Sequence, residues 1–262
     1  MMRSDQQGYD RGVTVFSPDG RLYQVEYARE AVERGSPVVG VCADEAVVFA
    51  ASGPRRSSLM AAESIEKIHD LDGRLGAASA GHVADGRRLV DVGREFAQRE
   101  RLRYGEPPRV ESVAKAIADF VQETTQTGGT RPFGAALLVG GVDGAPDPLT
   151  GESPHRGGDS VPGAVDSGPR LYEVDPSGAP TEYHAAAVGH GADESRAFLE
   201  TEYEPGLDRA GGTTLALEAL TESVDEPTAA ELDLAVLDAD GIDSFGPERR
   251  ASALDDAGLA AS

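Results

Sequence analysis

The sequence predicts an α+β fold in which two antiparallel sheets stack face to face and helices cover both outer faces. Short runs rich in Val and Ala occur in pairs separated by turn residues, which is typical of β-hairpins. Long segments with apolar residues at helical spacing also occur in pairs. Because strand groups alternate with helix pairs along the chain, separate layers of sheet and helix are favoured.

The first elements are a turn, a helix and a hairpin. Residues 17–20, Ser-Pro-Asp-Gly, form a turn sequence, and apolar residues then recur at helical spacing from 22 to 32. Gly35 is placed to end this helix. Apolar runs at 38–41 and 46–51 predict the two strands of a hairpin.

A second hairpin, two long helices and a buried strand follow. Asp72-Gly73 is a strong turn signal between strands at 67–71 and 75–79. The helices span 83–103 and 109–126, and the proline pair between them prevents one continuous helix. The remaining predictions are strands at 133–142, 170–174, 181–188, 232–238 and 242–245, and helices at 194–203 and 213–222.

We expect a single domain of stacked sheets and covering helices over 13–246, interrupted by one insertion. Residues 143–169 hold six Gly, five Pro and five acidic residues against one Arg, so we expect an extended loop there. Residues 1–12 are polar and bounded by glycine, which indicates a flexible segment. The acidic residues 247–262 are expected to be frayed and exposed.

The charge of the chain restricts its partners. The 24 basic and 46 acidic residues give a net charge of −22, and 22 of the 24 basic residues are arginine. Such a surface is typical of proteins from salt-accumulating microbes, since carboxylates keep a protein hydrated when salt screens their repulsion. No basic stripe for nucleic acid is visible.

Several other classes are also disfavoured. We expect no membrane span and no secretory signal, because no apolar run is long enough and the first residues are polar. The single cysteine, Cys42, is expected to be a small buried apolar residue. The five histidines lack metal-ligand spacing, and no phosphate-binding loop is present, so no metal or cofactor is expected. We therefore expect a cytoplasmic protein.

Residues 8–35, GYDRGVTVFSPDGRLYQVEYAREAVERG, closely resemble the N-terminal signature of archaeal proteasome α-type subunits. The resemblance continues through 64–91, 128–134 and 171–178. It implies the αββα sandwich of the N-terminal nucleophile hydrolases, assembled as homomeric or mixed heptameric α rings that cap rings of proteolytic β-type subunits. It also implies that residues 1–12 form a gate over the substrate entry pore.

The resemblance assigns two sets of residues. The match implies that Tyr9, Asp10, Arg11, Pro18 and Tyr27 arrange the gate, whereas ordinary turn and helix packing is the alternative reading. It further implies that Lys67 pairs with the C-terminal carboxylate of a hexameric ATPase activator. The alternative for Lys67 is a surface lysine beside Glu63 or Glu66. The other residues that match this ATPase-tail pocket are Glu26, Gly35, Gly81 and His82; His82 replaces an apolar residue common in the family.

The sequence argues against catalysis by this chain. Active β-type relatives use an N-terminal threonine whose free amine is the base, and the matching position here is Ser36, within the chain. A non-catalytic subunit in protein degradation is therefore expected. Two alternatives remain, namely an autoprocessed hydrolase with Ser36 as nucleophile and a ring scaffold without proteolytic partners. Copurification of β-type chains would discriminate the scaffold from the subunit.

Overall fold

The computed structural model describes residues 16–17, 20, 22–53, 59–60, 66–126, 130–144, 167–225 and 227–259. The helices in this part of the chain are α1 (Tyr23–Glu33), α2 (Val83–Tyr104), α3 (Val110–Gln126), α4 (Ala192–Glu202), α5 (Arg209–Thr221) and α6 (Pro247–Asp256). The strands are β1 (Val38–Cys42), β2 (Val47–Ser52), β3 (Ile68–Asp70), β4 (Leu75–Gly81), β5 (Ala135–Asp143), β6 (Gly168–Val174), β7 (Pro180–Tyr183), β8 (Ala185–Val188), β9 (Leu232–Asp238) and β10 (Gly241–Ser244).

Two five-stranded sheets form the centre of the molecule. The first sheet has the order β10-β9-β2-β1-β8, and the second has the order β3-β4-β5-β6-β7. Neighbouring strands are antiparallel throughout both sheets. The predicted fold class is confirmed.

Three apolar clusters hold the layers together. One lies between the facing sheets. A second joins the outer face of the second sheet to α2 and α3, and a third joins the first sheet to α4, α5 and α6. None of the helices that the structure describes has the length and apolarity needed to span a bilayer.

The ring of Phe49 sets the spacing at the centre of the sandwich. It is fully buried and lies opposite two glycines, one in each sheet. A Cβ at Gly40 would come within 3.1 Å of the ring, and one at Gly140 within 2.9 Å. Because protein interiors are close-packed, these glycines leave room for the aromatic ring.

The structure differs from the sequence analysis at two places. Residues 181–188 were expected to be one strand, but β7 pairs with β6 in the second sheet whereas β8 pairs with β1 in the first. His184 alone separates β7 from β8. Residues 247–256, expected to be frayed, form α6, whose Leu254 is 4% exposed. The insertion, apart from its ends, lies outside the described residues.

Candidate functional site

Lys67 is a buried lysine at the junction between α1 and β1. Its side chain is 5% exposed, and its Nζ lies 3.4 Å from the carbonyl oxygen of Ser36, to which it donates. Burial lowers the pKa of Lys67 to about 8, although the negative charge of Asp233 acts to raise it. The alternative of a surface lysine is therefore wrong. The site presents an ammonium group that is still mostly protonated at neutral pH.

Close backbone packing surrounds this junction. A Cβ at Gly35 would lie 2.1 Å from the amide nitrogen of Gly81, and a Cβ at Gly81 would lie 2.3 Å from the carbonyl oxygen of Gly134. Gly81 also has a φ of +100°, which disfavours any side chain. Three glycines therefore bring the end of α1 against the ends of β4 and β5. The backbone amide of His190 completes this packing by donating to the carbonyl oxygen of Gly35 at 2.7 Å.

His82 links this glycine cluster to α2. Its backbone amide donates to the carbonyl oxygen of Gly134 at 2.8 Å, and its own carbonyl oxygen accepts from the amides of Asp85 and Gly86. The imidazole is exposed, with Nδ1 3.4 Å from Oδ1 of Asp85. The structure thus places Lys67, Gly35, Gly81 and His82 around one junction, and their role as an ATPase-tail pocket stays a prediction.

Asp85 and Arg131 form a paired contact that the sequence analysis missed. Both guanidinium Nη atoms donate to the Asp85 carboxylate, at 2.6 and 2.7 Å, and the amide of Gly134 donates at 2.9 Å. Burial works to raise the pKa of Asp85, but these hydrogen bonds outweigh it and hold the pKa below its usual range. The two side chains fix the Gly134 segment against α2. The signal that could have revealed this pair was the presence of Asp85 and Arg131 in two segments that resemble the family, 64–91 and 128–134.

Two further predicted residues lie on α1, Glu26 for the ATPase-tail pocket and Tyr27 for the gate. Glu26 and Tyr27 lie in the first half of α1, and Tyr27 is 46% exposed. Nine residues of helical rise place Glu26 about 13 Å from Gly35 along the helix axis. The place of Glu26 in the ATPase-tail pocket stays a prediction. The predicted gate residues Tyr9, Asp10, Arg11 and Pro18 lie outside the described residues.

Ser36 is an internal residue of the chain and lies between α1 and β1. The helix α1 ends three residues before it, and β1 begins two residues after it. Its nitrogen is an amide in this chain, so it has no lone pair basic enough to accept a proton from the side-chain hydroxyl. This arrangement lacks the base that an N-terminal nucleophile needs.

A cleft open to solvent lies close to the same junction. It encloses about 740 Å³ between α1 and the start of α4. Its walls carry charges of both signs, including Arg29, which donates to Asp175 at 2.7 Å, and Arg196, which donates to Glu173 at 3.3 Å. These two ion pairs neutralise part of the charge on the walls of the cleft. No cluster of metal-ligating side chains occurs in the part of the chain that the structure describes.

Comparison with known proteins agrees with this architecture. The family model for the proteasome subunit matches residues 32–148 and 160–237, and the model for the N-terminal signature of A-type proteasome subunits matches residues 9–31. The chain is 50% identical to "Proteasome subunit alpha 2" of Haloarcula marismortui over 91% of this chain and 89% of that protein. It is 49% identical to "Proteasome subunit alpha 2" of Haloferax volcanii over 98% and 94% of the two chains.

A third relative, "Proteasome subunit alpha" of Halobacterium salinarum, is 46% identical over 91% of this chain and 86% of its own length. All three relatives come from haloarchaea and carry the α designation. The signature at residues 9–31 separates the α-type from the catalytic branch. The chain therefore belongs to the proteasome subunit family, as a non-catalytic α-type subunit of the threonine protease complex.

Proposed function

We propose that this α-type subunit forms the gated entry pore of the core particle and binds the C-terminal tails of a hexameric ATPase activator. The observation that carries the proposal is the buried ammonium group of Lys67 beside the Gly35–Gly81 contact. A charged donor that has lost most of its water binds a carboxylate more strongly than an exposed one. The tail carboxylate is its expected partner.

The surroundings of Lys67 suit a peptide terminus. Among the described residues, the Lys67 ammonium group donates to one carbonyl oxygen at 3.4 Å, so we expect its other protons to be available for a stronger acceptor. The chain uses lysine at two positions, and Lys115 pairs with Glu111 on the surface of α3. Lysine at position 67 is thus a departure from the arginine preference of this chain.

The gate is proposed from the N-terminal segment and α1. Residues 1–12 are polar, and glycines flank the Tyr9–Arg11 triplet. Tyr27 is exposed on α1, where it can meet residues of a neighbouring subunit in a heptameric ring. In this proposal Asp10 and Pro18 complete the contact that holds the segment open. Unfolded protein then passes through the pore to the β-type subunits.

The docking proposal is tested with core particles assembled from this chain and its β-type subunits. A short synthetic peptide ending in Leu-Tyr-Ala is titrated, and its affinity and its stimulation of fluorogenic peptide hydrolysis are measured. Lys67→Met should weaken peptide binding at least tenfold, because the carboxylate loses a charged donor worth about 1.5–3 kcal/mol. Lys115→Met is the matched control and should bind as the unmodified chain does. Equal binding in both variants would refute the assignment of Lys67.

The gate is tested separately by deleting residues 1–12. The truncated particle should hydrolyse short peptides faster without any activator, since the pore is no longer covered. Adding Lys67→Met to the truncated chain should leave this faster rate unchanged. A truncated particle with the basal rate of the full chain would contradict the gate. Because an ATP-driven activator works where ATP is available, the same proposal places the particle in the cytoplasm.

A further inference from the structure

Asp233 brings a carboxylate to the back of the Lys67 site. It lies in β9, between the fully buried Leu232 and the buried Leu234. The backbone amide of Lys67 donates to its carboxylate, and its charge acts on the Lys67 ammonium group. The side chain of Asp233 is 25% exposed. An acidic residue of the first sheet thus contacts the residue that directly precedes β3 of the second sheet.

Arg250 of α6 holds the other side of this carboxylate. Its Nη2 lies 3.0 Å from Oδ1 of Asp233, and its Nε donates to the carbonyl oxygen of Phe245 at 2.7 Å. The helix itself is anchored through the buried side chain of Leu254. Arg250 therefore contacts both Asp233 and Phe245 from a helix that is packed against the first sheet. The backbone of β9 and the side chain of Arg250 on α6 together fix the position of the Asp233 carboxylate.

The energetics of Lys67 require such a counter-ion. A buried ammonium group without a partner is costly, and the carbonyl oxygen of Ser36 at 3.4 Å is a long, uncharged acceptor. We propose that Asp233 is the positioning residue that keeps Lys67 charged and in place for a peptide carboxylate, and that Arg250 couples this residue to α6. The inference rests on the proposed function of Lys67 as the docking residue.

Other charged groups around Lys67 do not replace Asp233. Glu66 is an exposed neighbour whose Oε2 lies 3.4 Å from Nδ1 of His69. His69, Arg94 of α2 and Arg250 cannot supply this negative charge, because their side chains are either positively charged or neutral. Burial raises the pKa of Asp233, but Arg250 and Lys67 both act to lower it. Among the residues that the structure describes, the negative charge that favours a protonated Lys67 comes from Asp233.

The first test measures the titration of Lys67 in assembled particles. Since the chain has two lysines, lysine-selective ¹³C labelling of this chain alone, before assembly with unlabelled β-type subunits, gives two side-chain resonances, and Lys115→Arg assigns them. Asp233→Asn should move the Lys67 midpoint to lower pH by about one unit, because an opposite charge nearby is removed. Arg250→Ala should move it to higher pH, because a competing cation is removed. An unchanged midpoint in both variants would overturn the inference.

Asp238→Asn is the matched control. Asp238 lies at the far end of the same strand and pairs with an arginine, Arg209, at 2.9 Å. Its loss should leave the Lys67 midpoint unchanged. A shift as large as that of Asp233→Asn would show that any charge lost from β9 has this effect, and would overturn the specific role of Asp233. Arg250→Ala keeps the inference testable if Asp233→Asn fails to assemble.

The second test separates the inference from the proposed function. The affinity of the peptide ending in Leu-Tyr-Ala is measured across pH 6–9 for the unmodified chain, Asp233→Asn and Lys67→Met. With a supporting result, the affinity of Asp233→Asn declines at lower pH than that of the unmodified chain. If Lys67→Met weakens binding but Asp233→Asn keeps the original pH profile, the inference fails and the docking function stands. If Lys67→Met binds normally, the docking function fails.

Discussion

Gly35 and Gly81 approach so closely that a Cβ at position 35 would lie 2.1 Å from the amide nitrogen of Gly81 and 2.6 Å from its Cα. Both opposing atoms belong to the backbone, so no side chain can turn away to make room. The contact joins the end of α1 to the end of β4. It therefore sets the position of the helix that carries Tyr27 relative to the strand beside Lys67.

Gly35→Ala is expected to destabilise the subunit by about 3 kcal/mol or more, because a well-packed backbone must move. Denaturant unfolding of the purified chain measures this free energy. Gly246→Ala is the control, since a Cβ there meets nothing within 4 Å and the φ of Gly246 is −70°. Equal stability of the two variants would show that the junction yields easily.

Asp85→Asn is expected to cost about 1–3 kcal/mol at pH 7, because the carboxylate accepts three hydrogen bonds, two of them from Arg131. Asp91→Asn on the same helix is the control. The carboxylate of Asp91 is 54% exposed and lies 3.8 Å from Arg94, so its loss should change stability little. Comparable losses in both variants would contradict a special role for Asp85.

The same pair predicts a dependence of stability on pH. The pKa of Asp85 is lower in the folded chain than its usual value, so its contribution is complete above the unfolded value of about 3.9. That contribution is lost as pH falls through the folded value. Between about pH 5 and pH 3, the unmodified chain should lose more stability than Asp85→Asn. Parallel pH profiles of the two unfolding free energies would refute this account.

Leu254→Ala tests whether α6 is part of the packed structure. Its side chain is 4% exposed and belongs to the cluster that joins the first sheet to its helices. Truncation should cost about 2–5 kcal/mol, as for other buried leucines. Leu102→Ala, at a position 88% exposed, should be nearly neutral. A neutral effect of Leu254→Ala would indicate that this segment is frayed, as its composition predicts.

The acidic surface predicts stabilisation by salt. Residues 132–262 contain 6 basic and 26 acidic residues, so this half repels itself when the charges are unscreened. The melting temperature should rise by several degrees between about 0.1 M and 2 M KCl, where the screening length falls to a few ångströms. A melting temperature independent of KCl would show that the carboxylates lie too far apart to interact.

Much of the architecture is predictable because strong local signals agree with the final packing. The turn Asp72-Gly73 joins β3 to β4 as expected, and Gly73 has a φ of +68°. The division at His184 was missed because no turn residue separates the two strands, although β7 (Pro-Thr-Glu-Tyr) is polar and β8 (Ala-Ala-Ala-Val) is apolar. Helix α6 was missed because one buried side chain, Leu254, gives no periodic pattern.

The site was predicted in part for similar reasons. Lys67 is conspicuous in a chain that otherwise prefers arginine, and Gly35 ends a clear helical pattern. Asp233 was overlooked because it is one of 46 acidic residues, and no sequence pattern distinguishes it from the others. Its contact with the backbone of Lys67 depends on how the edges of the two sheets meet, which no local pattern records.

The passage of the chain from β7 to β8 through His184 has a mechanical consequence. With one residue between strands of different sheets, the sheets cannot slide over each other without stretching covalent bonds. A movement of one sheet at this edge must therefore be followed by the other sheet. A protein built this way can tilt in its ring, but its two sheets stay locked together while it does so.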